Sequence, residues 1–274
     1  MASPFFTDPA PGRPGLALFL NAGDPPLDVL GDLLLMLDAH QVDCLELAVP
    51  FPNSASDGPV IRASADRALA RGTDLDAVLA FVAEVRPSLS HMKLALLADW
   101  RHSIKGTPIE EFLARVKDAG ADGLLVHGMP PRLRPPYYEA AAAAGQPIVT
   151  TCYATSDEGT VNEAAEHGSA YIYLVAAYGR SGTVGPPDHS ALVPVMETIR
   201  KSNGAVPIAV GFGVKTRTHI EELGQIGADA AIVGSTCVAR VAAAQDEGRN
   251  VVADFEGLLA ELGAARIATQ RGSG

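Results

Sequence analysis

Cysteine is scarce in this chain. Its three cysteines, Cys44, Cys152 and Cys237, are far apart, and each sits in or beside an apolar, strand-like run. An odd, scattered set fits buried thiols in a reducing cytosol better than a disulfide framework. Metal-ligand patterns are lacking too: no cysteine pair has ligand spacing and no two histidines stand four apart on a helix, which argues against a structural zinc site. No basic block relieves a formal net charge of −11, and so acidic a chain is repelled by phosphate backbones, which sets nucleic acid aside as a partner. No apolar run approaches the roughly 18 residues a membrane helix needs. Met1 to Gly15 is rich in proline and small residues and lacks the basic end and apolar stretch of a signal peptide. The expectation is a soluble cytoplasmic protein with no membrane contact.

What the chain does have is apolar residues, 47% of the total, enough to bury a sizeable core. They fall into short runs that alternate with longer amphipathic stretches. The spacing predicts strands at Leu16–Ala22, Cys44–Val49, Lys93–Ala98, Gly123–Gly128, Pro147–Cys152, Tyr171–Ala176, Pro207–Gly213 and Ala230–Ser235. Helical spacing marks Leu27–His40, Leu75–Arg86, Pro108–Ala119, Ser190–Ser202 and Thr216–Ile226. Strict alternation argues for parallel strands joined by right-handed crossovers, and near-continuous apolar strands fit a sheet covered on both faces. A unit also recurs. Gly120-Ala121-Asp122 and Gly227-Ala228-Asp229 lead into strands, with looser copies at His167-Gly168-Ser169-Ala170 and His40-Gln41-Val42-Asp43. Each ends a helix and feeds the next strand. Eight such units, in a length close to the roughly 250 residues the fold uses, predict a single-domain α/β protein, a (β/α)8 TIM barrel. The barrel is expected over 16–265, after a flexible Pro/Gly-rich segment 1–15 and before a tail 266–274.

Function in such a barrel gathers on the loops after the strands. The last two are glycine-rich: Gly211-Phe212-Gly213-Val214-Lys215-Thr216 and Val233-Gly234-Ser235-Thr236. Glycine lets backbone N–H groups approach a ligand, the next helix N-terminus adds partial positive charge, and Ser235 adds a hydroxyl. Together the two loops match a phosphate site; singly, each glycine is an ordinary turn residue. In Cys44-Leu45-Glu46-Leu47-Ala48-Val49, alternation puts Glu46 opposite the leucines. If the leucines face the helices, Glu46 points into the barrel, where ionisation is costly and its pKa should rise towards that of a general acid. A Glu satisfied by internal hydrogen bonds is the equal alternative. Asp57-Gly58-Pro59 then places a second carboxylate near the same mouth, either as an acid–base partner or as a plain turn residue.

Read in order, Asn21-Ala22-Gly23-Asp24-Pro25, Glu46-Leu47-Ala48-Val49-Pro50-Phe51, Asp57-Gly58-Pro59-Val60-Ile61, Gly211-Phe212-Gly213 and Gly234-Ser235 resemble the tryptophan synthase α-subunit family from about Leu16 to near the C-terminus. The resemblance implies cleavage of indole-3-glycerol phosphate to indole and glyceraldehyde 3-phosphate without cofactor or metal. It implies that Glu46 protonates indole C3 and assists removal of the side-chain hydroxyl proton, that Asp57 stabilises positive charge at the indole N–H, and that Tyr173 lies near the catalytic Glu. Phe19, Leu97, Leu125 and Phe212 would line the indole slot; Phe19 and Leu97, taken alone, read as core. Gly185, Gly213, Gly234 and Ser235 would hold the phosphate.

Departures from the family cluster away from these positions. Pro52-Asn53-Ser54-Ala55-Ser56 stands where the family usually has Ser-Asp-Pro, in a segment that communicates with the β-subunit. The loop after strand 6, Ala177 to Gly185, is longer and reads Gly-Thr-Val-Gly where Gly-Val-Thr-Gly is usual. Ala98-Asp99-Trp100-Arg101 and His127-Gly128-Met129-Pro130 are also unlike the family, and its N-terminal helix is not expected. The pattern suggests a stand-alone lyase that releases indole. The alternatives are an α-subunit working with a tryptophan synthase β-subunit, a silent phosphate-binding barrel acting as partner or regulator, and another phosphate-binding barrel enzyme. His127, Asp99 and Arg101 read either as marks of a substituted indole or as solvated rim residues.

Overall fold

A computed structural model of the chain describes residues 5–6, 13–176, 191–211 and 213–264. Its eight strands are β1 (Gly15–Asn21), β2 (Cys44–Ala48), β3 (Lys93–Asp99), β4 (Gly123–His127), β5 (Val149–Tyr153), β6 (Tyr171–Val175), β7 (Ile208–Gly211) and β8 (Ala230–Val233). They form one parallel sheet in the order β4-β3-β2-β1-β8-β7-β6-β5. The ends meet at a single bridge, Leu124 to Ile148, with the Leu124 N–H donating to Pro147 O at 3.0 Å. The sheet is therefore a nearly closed (β/α)8 barrel. Around it run α1 (Leu27–Ala39), α2 (Pro59–Ala70), α3 (Leu75–Val85), α4 (Ile109–Asp118), α5 (Arg134–Ala144), α6 (Glu158–His167), α7 (Leu192–Ser202), α8 (Arg217–Gln225), α9 (Ser235–Asp246) and α10 (Val251–Glu261). Among the described residues no helix is long and apolar enough to cross a membrane. Cys44, Cys152 and Cys237 are buried, unpaired thiols.

Alternation along each strand makes two cores. Outward residues such as Leu45, Leu47, Leu94 and Leu96 pack with helix residues including Leu30, Leu33 and Phe112. Inward residues, Ala17, Cys44, Ala95, Ala209 and Ala230, are small and pack with Tyr171, Phe5 and Phe6 in the barrel interior. Small side chains leave room that three aromatic rings fill: Phe5 and Phe6 each lie 5.4 Å from the Tyr171 ring. A Cβ at Gly123 would fall 2.7 Å from Phe5 Cζ, so glycine there is what admits that ring.

The recurring turn unit does more than end helices. Its last polar residue ties one strand to the strand before it. Asp43 Oδ2 accepts from Leu16 N–H at 2.9 Å, Asp122 Oδ2 from Leu94 N–H at 2.9 Å, and Asp229 Oδ2 from Ile208 N–H at 2.7 Å. Ser169 Oγ in the looser copy accepts from Ile148 N–H at 3.0 Å. Each bond satisfies a backbone donor at the start of an odd-numbered strand, so the repeat fixes strand pairing at the N-terminal end of the barrel.

Asp24 anchors the loop after β1. Its fully buried carboxylate accepts from Arg67 (2.6 and 3.0 Å), Arg71 (3.2 Å) and Gln245 (3.1 Å), linking that loop to α2 and α9. Burial alone pushes its pKa up, but hydrogen bonds from Arg67, Ser64 and Gln245 outweigh it and hold the group below its ordinary 3.8. A carboxyl depressed in the fold stabilises the protein above its unfolded pKa, and that stabilisation is lost as pH falls through the folded value. Asp24→Ala is therefore expected to cost roughly 2 to 4 kcal/mol in urea unfolding at pH 7, with the deficit shrinking below about pH 4.

Candidate active site

Glu46 stands at the boundary between the filled floor of the barrel and its open upper half. It is 1% exposed, and its strand neighbours in register are Phe19 and Ala95. Leu45 and Leu47 do face the helices, which sends Glu46 inward as alternation requires. Its Oε1 accepts a 2.6 Å hydrogen bond from the Tyr171 hydroxyl, and Tyr171 is wedged by Phe5 and Phe6 from below. Its Oε2 is buried and has no hydrogen-bond partner among the described residues. Burial pushes the Glu46 pKa from 4.5 to about 7, against the pull of the Tyr171 bond, so acid and carboxylate forms coexist near neutrality.

Above Glu46 opens a cavity at the C-terminal end of the strands. Phe19, Leu97 and Leu125 line it from β1, β3 and β4, and Ile232 closes it from β8. Tyr173 lines it one inward position above Tyr171. Its ring fits only because position 211 is glycine: a Cβ there would lie 2.6 Å from the Tyr173 hydroxyl oxygen. The hydroxyl bonded to Glu46 is that of Tyr171, a residue sequence reading passed over. Inward alternation in Tyr171-Ile172-Tyr173 was the available signal.

Asp57 reaches the same cavity from the loop between β2 and α2. It is half-buried, and its backbone N–H donates to Ser54 Oγ at 3.3 Å. Burial pushes its carboxyl up from 3.8, while Ser54, His127 and Arg62 pull the other way. Across the mouth, Gly213, Gly234 and Ser235 line the β7 and β8 side. Gly213 has φ +80°, a backbone state that favours glycine, and Ser235 opens the 12-residue helix α9. The positive end of a helix dipole suits that side to an anion. Nine sequence-predicted site residues thus share one cavity: Glu46, Asp57, Tyr173, Phe19, Leu97, Leu125, Gly213, Gly234 and Ser235. Gly185 and Phe212 lie outside the described residues.

The β3 and β4 side holds groups that the sequence left undecided. Asp99 is 7% exposed and lines the cavity, whereas Arg101 is exposed on the rim. Asp99 Oδ1 accepts from the backbone N–H of His102 (2.9 Å) and pairs with its Nδ1 (2.6 Å), at the head of a π-helical turn, Trp100–Ile104. Phe51 stacks on His102 at 5.4 Å and faces His127 at 6.5 Å.

A near-neutral acid, a second carboxylate and an apolar slot at the C-terminal mouth of a (β/α)8 barrel mark an enzyme site of the barrel class. The family model described as tryptophan synthase alpha chain matches residues 5–266. The tryptophan synthase alpha chain of Cyanothece sp. is 35% identical over 241 residues, covering 86% of this chain and 88% of that one. That of Burkholderia multivorans is 34% identical over 254 residues, covering 93% and 92%. Among solved structures, a mutant tryptophan synthase alpha-subunit from Pyrococcus furiosus superposes with a TM-score of 0.80 at 28% identity, over 94% of this chain and 98% of that one. A chain of the tryptophan synthase complex from the same organism gives 0.78 at 26%, over 91% and 98%. The chain belongs to the tryptophan synthase alpha chain family and is a lyase.

Proposed function

We propose that the chain cleaves indole-3-glycerol phosphate to indole and glyceraldehyde 3-phosphate in the cytoplasm, as a stand-alone lyase. The observation that carries this reading is Glu46: a buried acid with pKa about 7 and one oxygen left without a partner, beside the cavity that Asp57 also lines. Phosphate sits against Gly213, Gly234 and Ser235, with Gly185 as the fourth phosphate residue, and the indole lies among Phe19, Leu97, Leu125 and Phe212. Protonated Glu46 gives its proton to indole C3. Positive charge then spreads to the ring N–H, where the Asp57 carboxylate balances it. The bond from C3 to the side chain breaks as the adjacent hydroxyl becomes an aldehyde, and the Glu46 carboxylate takes up the hydroxyl proton. One proton is given and one received, so Glu46 returns to its starting form, and no cofactor or metal takes part. Tyr171 holds Glu46 Oε1, and Tyr173 packs beside the reacting centre.

Independence from a partner is supported by the way Asp57 is held, through the buried Ser54 and the nearby His127 and Arg62, all within this chain. Adding a tryptophan synthase β-subunit is accordingly expected to change the rate of indole release by less than about tenfold; a rise of orders of magnitude supports the second reading. That reading, an α-subunit at work in a complex, draws on the similarity to the Pyrococcus furiosus complex.

The acid role carries a pH signature. Glu46 must enter protonated, so kcat/KM should fall tenfold per pH unit above about pH 7. The Tyr171 bond favours the ionised form. Tyr171→Phe should therefore move the falling limb to higher pH, and a limb that stays in place or moves down removes Tyr171 from control of Glu46.

A further inference from the structure

The cavity changes character across its mouth. Gly213, Gly234 and Ser235 suit an anion on the β7/β8 side. In a barrel of eight strands β3 and β4 lie opposite, and there Asp99 and His127, with Phe51 from the loop after β2, stand above the apolar Leu97 and Leu125 at the mouth. A substrate anchored by phosphate at one side points its aromatic end at the other. For a bare indole this end should be apolar, because a carboxylate facing a hydrocarbon edge loses hydration without return.

Asp99 is built in rather than left on the rim. Its Oδ1 is fixed by two contacts to His102, whose ring is itself stacked on Phe51. Its Oδ2 receives no hydrogen bond from the described residues and faces Gly128, where a Cβ would lie 3.3 Å away. His127 is its register partner on the next strand. In a side chain only 9% exposed that lines the cavity, this oxygen is placed to accept from a donor on a bound ligand.

We propose that Asp99 Oδ2, with His127 beside it, accepts a hydrogen bond from a hydroxyl on the benzene ring of the substrate. Asp99 is then a specificity-determining residue, and the preferred substrate is a ring-hydroxylated indole-3-glycerol phosphate. The proposal rests on the cleavage reading above for the placement of phosphate and indole.

Binding separates the two. Calorimetric titration of the full chain would use indole-3-propanol phosphate, which lacks the scissile hydroxyl, and its four derivatives with one hydroxyl on the benzene ring. One derivative is expected to bind about tenfold or more tightly than the parent, as a charge-assisted bond provides. Asp99→Asn keeps an acceptor for the His102 N–H and removes the charge; it should bring the two ligands to similar affinity, with the melting temperature unchanged. Asp99→Ala should do the same if the turn holds. Equal binding of all five ligands by the unaltered chain, or a preference that survives Asp99→Asn, overturns the proposal and leaves the cleavage reading standing. Binding of none of the five overturns both.

Discussion

Glu46→Gln is expected to lower the rate of indole-3-glycerol phosphate cleavage by about 10³- to 10⁴-fold, with affinity for a non-cleavable indole phosphate changed only a few-fold. The amide has the shape of the acid and can still accept from the Tyr171 hydroxyl, which now bonds Glu46 Oε1 at 2.6 Å. It has no proton to give to indole C3. Folding should be spared, since ionising the native side chain in its dry site is costly and the amide carries no charge. Raising the pH supplies a second check on the same group. A carboxyl lifted to about 7 contributes stability that is complete below its unfolded value near 4.5 and is lost as pH rises through 7. The difference in stability between Glu46→Gln and the native chain should therefore shift in favour of the variant between pH 5 and 8. Rapid turnover by Glu46→Gln would take Glu46 out of the mechanism.

Asp57→Asn should lower kcat by about 10²- to 10³-fold with a much smaller change in KM. Its carboxylate is asked to balance charge that exists only once C3 is protonated, so the loss falls on the transition state. Single-turnover measurements at saturating substrate separate the two constants. The effect should be smaller than that at Glu46, because Asp57 moves no proton. A rise in KM with kcat intact would instead make Asp57 a ground-state binding residue.

Much of this fold was legible because its rules are local. Alternation in Cys44-Leu45-Glu46-Leu47 put the leucines outside and Glu46 inside, as found. Strand limits drifted by a residue or two at most boundaries, as at glycine and proline, where β7 begins at Ile208 and Ser235, read as a strand end, opens α9, and without them at the ends of β3, β5 and β6. Among the helices the spacing did not mark, α5 is rich in alanine on a Pro-Pro start, which reads poorly as an amphipathic face. What escaped was contact at long range. Tyr171 meets Glu46 across 125 residues, and Phe5 and Phe6, in a stretch whose composition suggests a loose end, pack under both. The aspartates of the turn repeat were visible, but their hydrogen bonds to the preceding strand follow from pairing that only the closed sheet supplies. Asp99 read first as a solvated rim residue, and it is buried, because exposure depends on the turn at Trp100–Ile104 folding back over its side chain.

The most direct test of the central claim is indole release from indole-3-glycerol phosphate by the purified chain, with no β-subunit present. The account predicts steady release of indole with glyceraldehyde 3-phosphate in equal amount, falling above about pH 7 and absent in Glu46→Gln. No release from this substrate or its ring-hydroxylated forms, with or without a β-subunit, would contradict it.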